Sequence, residues 1–285
     1  MGAFKLTLNR GGEGSGLGRR RRRRHWQRWQ RWQRAALAVA VPSFAVLWLG
    51  GVVSNLRGGT RPEDVWLASV FLGLSGLIVL LGARTSRGAF ALAGVALVGF
   101  AAEIAGANTG LPFGAYEYTD ALRPRLFGAP PVIGLAWMVL AAMAWSIVAP
   151  LKLPRTPAVL LAATWTTAVD LVIDPLAANQ FDYWRWAEGG LYHGIPASNF
   201  AGWLFISLLA LGLFAERLEP SFRARAVGFA IVLFFALAAA SYGLALPAAV
   251  GFGLCAAQLL VAVVVRGRKA VEAPQGTLLG GAKGA

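Results

Sequence analysis

Long apolar stretches separated by short polar segments dominate the chain from residue 35 onward. Several approach the roughly 20 residues that an α-helix needs to cross the hydrocarbon core of a bilayer. The pattern predicts an all-α, polytopic membrane helix bundle with about eight transmembrane helices. Residues 244–247 alone separate the last two stretches, so seven spans is the alternative. The eight stretches are 35–53, 65–82, 89–106, 131–149, 158–177, 200–215, 226–244 and 246–265.

Composition agrees with a membrane location. Hydrophobic residues make up 57% of the 285 residues and charged residues only 14%, which is more apolar than a soluble domain. A single cysteine, Cys255, excludes an internal disulfide and a cysteine-clustered metal site. Phosphate-binding and dinucleotide-binding fingerprints are absent from the sequence. We therefore expect neither a metal nor a cofactor.

The net charge of +14 is unevenly distributed. Eleven of the 27 basic residues lie within residues 1–34, where Arg19–Arg24 precedes three Trp-Gln-Arg repeats. A basic, Trp-rich segment beside a span suits the anionic lipids of a cytoplasmic leaflet. Nucleic acid is the alternative partner, and it is not expected, because no nucleic-acid-binding fold follows. The predicted organisation is a cytoplasmic tail (1–34), a transmembrane catalytic domain (35–265) and a short basic, Gly-rich tail (266–285).

Basic residues in the connections also predict the orientation. Cytoplasmic loops carry an excess of Lys and Arg, and the second, fourth and sixth connections of the eight-span arrangement are the more basic ones. This bias predicts a multi-pass protein of the cell (inner) membrane with a cytoplasmic N-terminus. The two longest loops, 107–130 and 178–199, then lie together on the non-cytoplasmic side.

Two aspartates interrupt the apolar stretch 158–176. Asp170 and Asp174 are four residues apart, which places both carboxylates on one face of a helix. A charged side chain at the centre of a membrane helix costs about 2.5–3.5 kcal/mol and usually faces a bundle interior or a cavity. Two close carboxylates in an apolar medium cannot both ionise cheaply, so the pair offers an acid and a base. Hydrogen bonding between helices is the structural alternative.

Other polar and aromatic residues converge on the same predicted side. Glu103 lies near the end of the third stretch, and Asp182 lies among aromatic residues in the second long loop. Aromatic faces stabilise cations, although tryptophan and tyrosine are also common at membrane interfaces. The single histidine outside the tail is more simply structural than a metal ligand. The candidate residues of the loops and their ends are Asn108, Tyr116, Tyr183, Trp184, Trp186, His193 and Asn199.

Three motifs together resemble the carotenoid 1,2-hydratase family of the CruF or bisanhydrobacterioruberin hydratase type. They are Glu103–Tyr118 (EIAGANTGLPFGAYEY), Asp170–Pro175 (DLVIDP) and Phe181–Trp203 (FDYWRWAEGGLYHGIPASNFAGW), in the order of the family. The resemblance covers roughly residues 90–265. It implies an integral membrane lyase of carotenoid biosynthesis that acts without a cofactor. It further implies addition of water to the terminal 1,2 (1′,2′) double bond of an acyclic ψ-end group in a lycopene- or γ-carotene-like substrate.

The candidate residues fit this chemistry. Asp170 or Asp174 would protonate the alkene, and the partner carboxylate, Glu103 or Asp182 would deprotonate the attacking water. In the same hypothesis Tyr116, Tyr183, Trp184 and Trp186 line the end-group pocket. The residues that hold the loops or the water are Asn108, Asn179, His193 and Asn199.

Other functions remain open at this point. A carotenoid cyclase would protonate the same end group, and an intramembrane prenyltransferase would use the aspartate pair to hold Mg²⁺ and a diphosphate. The second acid-rich motif that a prenyltransferase needs is not found in the sequence. Outside enzymes, the chain could be a transporter or proton channel with an acid relay, or a carotenoid-binding protein.

Overall fold

The computed structural model describes residues 14–59 and 66–272, with side chains described from 31 to 59 and from 66 to 268. Each of the eight predicted apolar stretches falls on a helix, which confirms the all-α, polytopic helix bundle. The lipid-binding prediction for Arg19–Arg24 and most of the tail 266–285 fall outside the described side chains. The helices are α1 (Gly14–Leu56), α2 (Leu67–Leu80), α3 (Ser86–Thr109), α4 (Pro131–Val148), α5 (Arg155–Asn179), α6 (Ala197–Phe214), α7 (Phe222–Ser241) and α8 (Ala245–Glu272).

Local sequence sets where several helices begin and end. The Thr85 hydroxyl accepts a hydrogen bond from the Gly88 N–H at 3.0 Å and caps the start of α3. Gly110 ends α3 with a φ of 78°, a left-handed conformation that glycine adopts without strain. Pro131 occupies the first turn of α4, where its missing N–H leaves no helical bond unmade.

The alternative of seven spans rested on α7 and α8, but these are two separate helices joined by a turn at residues 242–244. The short element is α2. Seven helices of the described chain are long and apolar enough to cross a membrane, whereas α2 has 14 residues. At 1.5 Å per residue α2 measures about 21 Å, less than the roughly 30 Å hydrocarbon core. Helix α2 nevertheless runs antiparallel to α1. The evidence is that Gln33, in the first half of α1, donates a hydrogen bond to the Leu81 carbonyl at the end of α2.

Helix α4 forms the centre of the bundle. In the most apolar 18 residues of α4, 72% of the residues are buried, compared with 17% in the corresponding parts of α1 and α8. Small residues on the neighbouring helices allow close approach to α4: Gly99 of α3 lies against Trp137, and Gly228 of α7 lies against Met143. In an apolar solvent, association of helices depends on such close packing.

The two ends of the bundle differ. At one end the turns after α2, α4 and α6 meet, where the Arg84 N–H donates to Glu219 and the Ser221 N–H donates to Ser146. At the other end lie both long loops, 110–130 and 180–196. A short strand in each, β1 (Tyr116–Tyr118) and β2 (Trp184–Trp186), pairs antiparallel with the other. The common location of the long loops is therefore as predicted, and which end faces the cytoplasm stays a prediction.

We expect Gly228→Val to lower the free energy of unfolding by about 1–3 kcal/mol, because the added methyl groups collide with the buried Met143 side chain. Chemical denaturation in mixed micelles measures this loss. Gly253→Val is the matched control, since a Cβ at Gly253 meets no atom within 4 Å. Equal stability of the two variants would contradict the close packing of α4 and α7.

Candidate active site

Glu103 accepts hydrogen bonds from three side chains. Strand β1 alternates between buried and exposed residues, so Tyr116 and Tyr118 share its buried face and Glu117 points outward. Both tyrosine hydroxyls donate to Oε2 of Glu103 at 2.6 Å, and the indole N–H of Trp137 donates to Oε1 at 2.8 Å. Both carboxyl oxygens of the buried Glu103 side chain therefore have hydrogen-bond partners.

The two phenols are themselves firmly protonated. Burial, followed by the negative charge of Glu103, raises the pKa of Tyr116 and of Tyr118 well above the ordinary value. Both hydroxyls therefore remain hydrogen-bond donors throughout the physiological pH range. The Glu103 carboxylate keeps its donors under all these conditions.

Asp170 and Asp174 are bridged by one side chain. The Asn199 amide nitrogen donates to Oδ2 of each aspartate at 2.7 Å. The indole N–H of Trp184, in β2, donates to Oδ1 of Asp174 at 2.7 Å. Both aspartates are 1% exposed. Asn199 lies in the first turn of α6, so the bridge also fixes the start of α6 against α5.

A proline next to the pair fixes the second loop. Pro175 has no N–H, so the Leu171 carbonyl one turn earlier loses its helical partner. The Tyr192 hydroxyl donates to that carbonyl at 2.7 Å. Partial burial, with the charge of Asp170 as the second cause, raises the pKa of Tyr192 to about 12. Tyr192 is therefore a stable donor that holds the loop against α5.

Both clusters face one cavity of about 1140 Å³, which Glu103, Asp174 and Asn199 all line. Asp170 is absent from the described lining and lies behind Asn199. Aromatic side chains form much of the wall, and Trp203 stacks on Trp137 with ring centroids 3.9 Å apart. Further aromatic lining comes from Tyr116, Tyr118, Tyr183, Trp184, Trp186 and Phe181.

Charged residues form the rim of the cavity. Asp182 pairs with Arg185 through two hydrogen bonds of 2.8 and 2.7 Å, and its side chain is 54% exposed. Arg125 donates to the Tyr118 carbonyl and to the Asp120 carboxylate. The rim is therefore open to water, whereas the carboxylates below it are buried.

The structure brings most of the predicted site residues together. Of these, Glu103, Asp174, Tyr116, Tyr183, Trp184, Trp186 and Asn199 line the cavity, and Asp182 lies at its rim. Two lie elsewhere. Asn108 donates to the Ile104 and Phe127 carbonyls and holds the first loop. His193 packs edge-to-face on Tyr192, with ring centroids 4.9 Å apart.

Three site residues were missing from the predicted set: Tyr118, Trp137 and Trp203. Trp137 offered a signal, because an indole N–H within an apolar span needs an acceptor. Tyr118 repeats Tyr116 at the two-residue spacing of a strand. Nothing in the sequence distinguished Trp203 from an ordinary interfacial tryptophan.

These features define a polytopic membrane protein with an aromatic cavity that holds buried carboxylates. The chain belongs to the family of carotenoid biosynthesis proteins, whose family model matches residues 65–263. This membership supports a carotenoid-modifying role and agrees with the resemblance seen in the three motifs.

One curated relative is the bisanhydrobacterioruberin hydratase of Haloarcula japonica, 33% identical over 133 residues. The match covers 45% of this chain and 45% of the relative, so less than half of the relative's length is matched. No solved structure matches the chain.

We expect Tyr118→Phe to lower the free energy of unfolding by about 1–3 kcal/mol, because it removes one donor from the buried Glu103 carboxylate. Denaturation in micelles measures the change. Tyr242→Phe is the control, since no hydrogen bond of the Tyr242 hydroxyl to a described residue is found. Equal losses in the two variants would show that the Glu103 cluster contributes nothing specific to stability.

Proposed function

We propose that this protein is a carotenoid hydratase that adds water to the terminal 1,2 double bond of an acyclic ψ-end group. One observation carries the proposal: Glu103 and Asp174, on different helices, face the same aromatic cavity within the membrane bundle. Membership of the carotenoid biosynthesis family supports a carotenoid substrate. The Haloarcula relative is named as a hydratase, which supports hydration as the reaction.

Asp174 is the proton donor in this proposal. Its carboxyl group lines the cavity, and Asp170 behind it shares the Asn199 amide. Two buried carboxylates joined in this way are best suited to hold one proton between them, since like charges at short range repel. Asp170 is then a positioning residue that acts on Asp174 through Asn199.

Glu103 is the base. Its three donors stabilise negative charge before the reaction begins, so it can accept a proton from water once a cation has formed. Asp182 has no part in the proposed chemistry, because its carboxylate is already paired with Arg185 at the rim.

The reaction then proceeds in two steps. The Asp174 proton adds to C2 of the alkene, the π bond breaks, and a tertiary cation forms at C1. A water oxygen bonds to C1, and one proton of that water passes to Glu103. The product is a tertiary alcohol, and transfer of the proton from Glu103 back to the aspartate pair restores the starting state. No electron is gained or lost overall.

The aromatic wall suits the cationic intermediate. A ring face stabilises a nearby cation by about 0.5–2 kcal/mol without forming a bond to it, and Trp184, Trp186 and Trp203 line the cavity beside the carboxylates. The charged rim admits water, which favours hydration over closure of a ring. We propose a lycopene- or γ-carotene-like substrate that enters from the lipid bilayer, in an inner membrane protein with a cytoplasmic N-terminus.

We expect Asp174→Asn and Glu103→Gln each to lower the yield of hydrated carotenoid by at least about 100-fold, the usual contribution of a general acid or base. Asp170→Asn should cost only about tenfold, because the Asp174 acid remains in place. Mass spectrometry of pigments from a lycopene-producing host, at equal protein expression, measures the products. Growth with heavy-oxygen water shows whether the new hydroxyl oxygen comes from water.

Glu188→Gln is the matched control, because Glu188 is exposed in the loop outside the cavity. Full activity in both Asp174→Asn and Glu103→Gln would refute the assignment. A product of unchanged mass with a new ring would identify a cyclase, and binding of lycopene without any product would identify a carrier.

A further inference from the structure

Beside the carboxylates the cavity has an apolar arm, lined by Val46, Trp48 and Gly51 of α1, Phe71 of α2, and Ile231 and Phe234 of α7. Glu103 and Asp174 are six and five residues from the ends of their helices, or about 8–9 Å below the long-loop end. Val46 and Ile231 are each ten residues from that end, or about 15 Å. The arm therefore reaches about the middle of a 30 Å hydrocarbon core.

The size of the cavity exceeds what one terminal isoprene unit needs. A volume of about 1140 Å³ lies above the roughly 300–1,000 Å³ of pockets that enclose a drug-sized ligand. Phe71 stacks on Phe44 of α1 at 4.8 Å and contacts Phe234 at 6.1 Å between ring centroids. The Trp48 indole N–H donates to the Ala230 carbonyl at 2.6 Å and fixes α1 against α7. These contacts hold the aromatic side chains of the arm in place.

We propose that the apolar arm binds the conjugated polyene next to the reacting end group, and that Gly51 sets the width of the arm. This inference rests on the proposed function for the identity of the ligand. A flat, conjugated hydrocarbon packs well against aromatic walls, and the arm extends from the depth of the buried carboxylates to about the middle of the membrane. The substrate is therefore oriented with its end group at Asp174 and its chain towards the middle of the membrane.

Gly51 controls the width because of its distance from Phe234. A Cβ at position 51 would lie 2.8 Å from Cε2 of Phe234, so any side chain there displaces that ring. Phe234 itself lines the cavity, and its displacement narrows the arm. Helix α1 lies outside the residues 65–263 that match the family model, so the family match does not cover this wall of the arm.

Binding and turnover test the arm separately. We expect Gly51→Val to raise the Kd for lycopene roughly tenfold, the effect of losing about two buried methylene groups. Quenching of tryptophan fluorescence in detergent-solubilised protein measures the Kd. The rate of hydration of lycopene should fall by the same factor, whereas hydration of a short terpene with the same terminal double bond stays unchanged. Gly73→Val is the control, because Gly73 of α2 is outside the arm and a Cβ there meets no atom within 4 Å.

A second substitution guards against a simple folding defect. Gly51→Val combined with Phe234→Ala removes the displaced ring, and we expect it to restore lycopene binding towards the original Kd. Unchanged lycopene binding in Gly51→Val, or an equal loss for the short terpene, would overturn the proposal. If the wild-type protein hydrates neither substrate, the proposed function fails, and the Kd values still decide whether the arm binds the polyene.

Discussion

Burial of three carboxylates inside an apolar helix bundle is the constraint on which the rest of this structure depends. A carboxylate without partners in such a medium is very costly, so each must find donors that the helices alone do not supply. Strand β1 supplies two phenols for Glu103, while β2 and the start of α6 supply an indole and an amide for the aspartate pair. The pairing of β1 with β2 then joins the two groups of donors. The hydrogen bonds from the two long loops to the carboxylates therefore also hold these loops in place.

Burial of the carboxylates also distinguishes between the functions that the sequence left open. The carboxylates are held by hydrogen bonds from uncharged side chains in a closed cluster, whereas a diphosphate site needs free oxygen ligands for Mg²⁺. A relay across the membrane would need acids along its whole depth, but the buried acids found in the described lining of the cavity, Glu103 and Asp174, lie near one end of the bundle. A cavity with a water-exposed rim and an apolar arm can bring water and a hydrocarbon substrate into contact. This comparison supports the proposal of hydration over its rivals.

The helices and the common end of the two long loops could be predicted, because long apolar stretches indicate membrane spans and successive spans run in opposite directions. The spacing of Asp170 and Asp174 predicted a shared face correctly. The pairing of β1 with β2 could not be predicted, since a strand of three residues has too few positions to show alternation above chance. The walls from α1 and α2 were missed for another reason. Apolar side chains facing lipid and those facing a cavity look the same in a sequence.

The order of the partners along the chain has a consequence for synthesis. Among the described residues, each side-chain donor to the three carboxylates lies after its acceptor in the chain. Glu103 is followed by its donors at separations of 13, 15 and 34 residues. Asp174 is followed by Trp184 and Asn199 at separations of 10 and 25 residues. Each acid is therefore synthesised before the side chains whose hydrogen bonds offset the free-energy cost of burying it. Helices α3 and α5 are thus synthesised before the partners of their carboxylates, which follow in the loop after each helix and, for the Trp137 indole and the Asn199 amide, in α4 and at the start of α6.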